Sequence, residues 1–101
     1  MQIINSVQDD IMMLCKKYHV SQFSIFGSAA RNELSDSSDI DLLVSFNEDL
    51  ELLDYADNFF SLKNECENLF GKRVDLVTLK SLKNPILKNE IERFKVTVYE
   101  E

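Results

Sequence analysis

Histidine is almost missing from this sequence. The one present, His19, follows the first predicted helix with no obvious partner and reads as a surface or helix-end residue, so neither a Ser-His-Asp triad nor zinc chemistry is expected. Cysteine is nearly as scarce. Cys15 and Cys66 fall on the apolar sides of predicted helices, where a free thiol behaves as a small hydrophobe, and neither a disulfide nor a cysteine metal site is expected. Basic residues run short as well: eleven Lys and Arg stand against eighteen Asp and Glu, a formal net charge of −7. Phosphate-backbone affinity needs clustered cations, so no direct nucleic-acid binding is expected; an acidic domain suits a basic protein partner, or acidity serves solubility alone. No apolar run approaches the length of a membrane span, and Met1-Gln2-Ile3-Ile4-Asn5 is not a basic region leading into an apolar core. A cytoplasmic protein with no membrane partner is expected. Repeats, linkers and low-complexity tracts are absent, and 101 residues make one small domain over 1–101.

What is present is strongly patterned. Ser6 reads as a helix cap, with Val7, Ile11, Leu14, Cys15 and Tyr18 at helical spacing behind it. Val20 to Phe26 reads as a strand, Ala29 to Leu34 as a short helix, Ser35 to Ser38 as a loop, and Ile40 to Phe46 as a second strand. From Leu50 to Phe70, apolar residues including Leu52, Ala56, Phe59, Leu62, Cys66 and Leu69 recur every three or four positions, and Gly71 can end that helix in a left-handed conformation. Lys72 to Leu79 has the β-branched content of a strand, Asn84-Pro85 opens a helix running to Phe94, and Lys95 to Tyr99 alternates as a closing strand with Val96 and Val98 on one face.

The most informative stretch joins Gly27-Ser28 to Asp39-Ile40-Asp41 across ten intervening residues. An apolar run enters Gly27-Ser28 and leaves as a helix, so free backbone N–H groups there can receive an anion; glycine permits close approach and the Ser28 hydroxyl can donate. Asp39 and Asp41, two apart in an extended run, send both carboxylates to one face while Ile40 and Leu42 turn to the core. Hard oxygen ligands roughly 7 Å apart along a strand suit one or two Mg²⁺ ions that also hold substrate phosphates. No Lys or Arg lies close by in sequence, and neighbouring carboxylates repel unless a cation intervenes.

Gly-Ser, ten residues, then Asp-x-Asp resembles the signature of the minimal nucleotidyltransferases (MNT proteins) of the DNA polymerase beta superfamily. Gly27, Ser28, Asp39 and Asp41 meet it without a gap, Arg31 and Glu33 stand where many members carry Arg and Glu, and Lys72 to Val77 looks like the strand bearing a third carboxylate, Asp75. Ser81-Leu82-Lys83 and Val98-Tyr99-Glu100 look like the family's C-terminal helix and closing strand. Asn32, where Gly is usual, and Ala29, where a larger residue is frequent, depart from the pattern without touching the carboxylates. The fold implied is α/β (α+β), a small mixed sheet flanked by helices in one domain, with the site at one sheet edge.

The resemblance also implies a reaction. Asp39 and Asp41 would hold Mg²⁺ against the triphosphate of ATP, Gly27 and Ser28 would position the phosphates, and Asp75 would bind a second ion and activate the acceptor hydroxyl; two metals stabilise both attacking and leaving oxygens. Arg31 either neutralises phosphate charge or pairs with Glu33 or Asp36. Larger relatives carry a further domain for the acceptor, and none fits within this length. MNT proteins of this size resemble antitoxins whose partner is a helical HEPN ribonuclease toxin, some of which transfer AMP to a toxin tyrosine. Two other classes stay open: an antitoxin that acts by occlusion, and a free-standing small-molecule nucleotidyltransferase.

Overall fold

The computed structural model describes residues 2–30 and 39–101, with the side chains of residues 2–6, 28 and 29 outside that description. In chain order the elements are α1 (Gln2–Lys17), β1 (Val20–Phe26), α2 (Gly27–Ala30), β2 (Ile40–Phe46), α3 (Leu52–Phe70), β3 (Val74–Thr78), a single 3₁₀ turn over Leu79–Ser81, α4 (Pro85–Phe94) and β4 (Val96–Glu100). α1 starts four residues before the predicted cap, because Ile3 and Ile4 extend the apolar spacing of Val7 and Ile11 upstream of Ser6. It ends at Lys17, and His19, an exposed residue at φ 60°, lies in the turn into β1. Gly71 ends α3 at φ 66°, its N–H donating to the Glu67 carbonyl, as predicted. Asn84 caps α4 by accepting from the N–H groups of Ile86 and Leu87 at 3.0 and 3.4 Å. The short helix predicted over Ala29–Leu34 begins two residues earlier; Arg31 to Leu34 and the loop Ser35–Ser38 lie outside the described residues.

The four strands form one mixed sheet in the order β3-β2-β1-β4. β1 pairs antiparallel with β2 and with β4, whereas β2 and β3 run parallel. Parallel neighbours need a long crossover, and α3 supplies it. One sheet face buries Phe23, Ile25, Ile40, Leu42, Val44, Val74 and Leu76 against Ile11 and Cys15 of α1 and Leu62 and Cys66 of α3. Each such side chain contributes about 1.5–3 kcal/mol. Both cysteines are free and buried there. Loss of water around them pushes both thiols up from 9.0 to about 12, with Cys66 adding to the effect on Cys15 and Glu65 and Glu67 to that on Cys66.

β4 departs from simple alternation. Phe23 faces Tyr99 while Ser24 faces Thr97, so a bulge leaves Val98 over. Val98 and Tyr99 both pack against the core in consequence, not on opposite faces. The buried Ser24 hydroxyl donates to Thr97 Oγ1 at 3.3 Å across this pair.

Candidate active site

β1 delivers the chain to Gly27 in register with the start of β2: Phe26 stands opposite Asp41. Gly27 lies at φ 69°, a conformation that L side chains rarely adopt. A Cβ there would fall on Asp41 Oδ2 and come within 3.1 Å of its Cγ. The glycine therefore does more than open a turn to phosphate, because the volume of its missing side chain is where the Asp41 carboxylate sits. The Ser28 hydroxyl and Arg31, the other two predicted phosphate contacts, lie outside the described residues.

The parallel ladder adds the third carboxylate. Ile40 pairs with Val74, Asp41 with Asp75 and Leu42 with Leu76, so Asp41 and Asp75 project from the face opposite the core on adjacent strands, about 5 Å apart at the backbone. Asp39 immediately precedes β2 at the same end. The three predicted carboxylates thus belong to residues at one end of a two-strand ladder whose outer member is the edge strand β3.

Arg73 is a site residue that the sequence motif does not single out. Its carbonyl accepts the Ile40 N–H at 2.9 Å, and its Nε lies 3.3 Å from Asp39 Oδ1. No Lys or Arg is near Asp39 in sequence, but the parallel register brings it the guanidinium of Arg73, two residues past Gly71. A cation two positions before Asp75, mirroring the place of Asp39 before Asp41, was the available signal. Among the described residues no three His, Cys, Asp or Glu side chains converge closely enough to enclose a metal. The donor set nevertheless has the chemistry for a hard divalent cation, three carboxylates on one face, and Asp41 lies against the turn where phosphate would be received.

Beyond Gly27 the site borders a cavity of about 210 Å³ lined by Phe26, Gly27, Leu87, Glu90, Ile91 and Phe94, which brings α4 beside α2 and the end of β1.

A family model described as polymerase beta, nucleotidyltransferase matches residues 9–101. A provisionally named protein adenylyltransferase of Methanocaldococcus jannaschii is 44% identical over 88 residues, 87% of this chain and 89% of the relative. Protein adenylyltransferase MntA of Thermococcus cleftensis is 41% identical over 75 residues, 74% of this chain and 72% of the relative. Among solved structures, a provisionally named minimal nucleotidyltransferase superposes with a TM-score of 0.72 at 34% identity, covering 94% of this chain and 92% of the other. The tri-AMPylated HEPN toxin of Shewanella oneidensis in complex with MNT antitoxin contains a chain of the same fold, TM-score 0.66 at 20% identity, covering 100% of this chain and 74% of the other.

Proposed function

Because the chain belongs to the polymerase beta nucleotidyltransferase family, we propose that it is a Mg²⁺-dependent protein adenylyltransferase, the antitoxin of a two-component module, which transfers AMP from ATP to a tyrosine of a HEPN-type toxin. The observation that carries this reading is the alignment of Gly27, Asp41 and Asp75 across three consecutive strands or turns. Relatives at 41–44% identity that are named for protein adenylylation support a protein acceptor. The HEPN partner rests on the likeness of motif and fold to antitoxins of that kind.

In this reading Asp39 and Asp41 hold the cation, with Asp75 as a further ligand, and Mg²⁺ when bound supplies charge neutralisation at the triphosphate. The backbone of Gly27-Ser28 orients the phosphates, with the Ser28 hydroxyl and Arg31 as additional contacts. Asp75, on the edge strand, faces the incoming acceptor and takes the proton of the tyrosine hydroxyl. The tyrosine oxygen forms a bond to the α-phosphorus, the bond from that phosphorus to the β-phosphate oxygen breaks, and pyrophosphate leaves.

The test is labelled ATP and Mg²⁺ with the purified HEPN-type toxin. Wild type adds the mass of AMP on a tyrosine, and the D39N/D41N variant or excess chelator abolishes the addition. The Asp39–Arg73 pair favours one rival, an idle site whose carboxylate has a structural partner. That rival wins if the toxin is neutralised without gaining mass and D39N/D41N neutralises it equally well. Rapid transfer to a small alcohol in the absence of any protein partner would point to a free-standing enzyme instead.

A further inference from the structure

α3 is two helices in energetic terms. Its second half carries the buried Leu62 and Cys66, but Leu52, Leu53 and Phe60 in its first half are 83%, 82% and 63% exposed. Leu53, Ala56 and Phe60 follow one another at three- and four-residue spacing, which makes an apolar seam along the exposed side. The seam borders a groove of about 290 Å³ between α3 and the edge strand, lined by Ala56, Phe59, Phe60, Leu76 and Ser81. Contiguous exposed apolar surface of this kind marks a site of association.

The charge around the seam says what covers it. Residues 32–62 contain nine Asp and Glu and no Lys or Arg. Asp54 and Asp57 stand exposed on α3 beside the seam, and Glu51 just ahead of it. A second copy of this chain would bring the same carboxylates against themselves, at a cost in repulsion. A partner with apolar residues at helical spacing flanked by Lys and Arg meets both features.

Position narrows the partner further. Leu76 lines the groove, and the preceding residue on the same edge strand, Asp75, projects from the opposite face. A protein seated in the groove needs only to pass around one strand to bring a hydroxyl to the carboxylates. We infer that the groove between the first half of α3 and β3 is the docking surface for a basic, apolar-faced helix of the protein that supplies the acceptor. This rests on the reading that the acceptor is a HEPN-type protein.

The experiment measures binding of the purified HEPN-type toxin by calorimetry at low and high salt, with Mg²⁺-ATP binding to each variant as the control for an intact site. L53S/F60S changes exposed residues only, and circular dichroism checks its fold. It is expected to weaken toxin binding at least tenfold while Mg²⁺-ATP binding stays at the wild-type value. D54K/D57K is expected to weaken binding and to flatten its salt dependence. Toxin binding by L53S/F60S at wild-type affinity overturns the surface and leaves the proposed activity standing. Wild type that binds no HEPN-type protein overturns both. A wild-type dimer that L53S/F60S dissociates assigns the groove to a second copy and overturns the partner named here.

Discussion

On one face of β2, Ile40, Leu42 and Val44 disappear beneath α1 and α3, while on the other Asp41 stands between Gly27 and Asp75. Asp41 and Leu42 are consecutive residues under opposite selection by physics. The covered face gains from every methylene removed from water. The other face buries Leu43 and Ser24 further along, but at its end it gathers carboxylates, of which Asp39 is offset by Arg73. The carboxylate end of the ladder is held in place chiefly by the opposite face and adds little to it.

Damage confined to the covered face separates stability from chemistry. Leu42→Ala removes a fully buried side chain and is expected to destabilise the fold by about 2–5 kcal/mol in chemical denaturation. Its transfer rate per folded molecule should stay near wild type, because Asp41 and Asp75 are set by backbone pairing.

Alkali tests the same face without mutation. Cys15 and Cys66 keep their protons to about pH 12 in the folded protein, whereas an exposed thiol loses its proton near 9.0. A folded-state value raised above the unfolded one gives stability that is complete below pH 9 and is lost as pH rises towards 12. Each thiol is expected to cost about 1 kcal/mol per pH unit inside that window. Denaturation midpoints from pH 8 to 11 check this, and C15A/C66A should lose that part of the slope.

Gly27→Ala joins the two faces. The new methyl meets the Asp41 carboxylate and the backbone must keep a positive φ, so a loss of about 1–2 kcal/mol is expected together with a large fall in transfer. A variant that lost stability and kept full activity would show that Asp41 has no part in the chemistry.

D39N/D41N is expected to have the smallest effect on stability, a change in melting temperature worth less than about 1 kcal/mol in either direction. Relief of repulsion raises it and loss of the Arg73 pair lowers it. A large fall would mean that these carboxylates support the fold.

Much of this was legible in the chain itself. β1 and β2 fall where the apolar runs placed them, and Gly71 and Asn84-Pro85 act as the helix punctuation they resemble, since these signals are local. Apart from the starts of α1 and α2, the differences depend on distant partners. Leu52 fits the stripe of α3, yet the first turns reach the core through Tyr55 and Phe59, and Leu52 stays in water. The bulge in β4 follows from its pairing with β1, which no alternation within β4 reveals. Arg73 reaches Asp39 only through the parallel register.

That register also sets an order of events during synthesis. The hairpin of β1 and β2 can close from neighbouring sequence, but Asp75 takes its place beside Asp41 only after the whole of α3 has been made and has folded back over the sheet. A chain still emerging from the ribosome, with β3 not yet available, has two of its acids and the glycine turn but no third acid and no edge strand. On the proposed activity, adenylylation would begin only when the crossover is complete, no sooner than the time this domain takes to finish its slowest pairing.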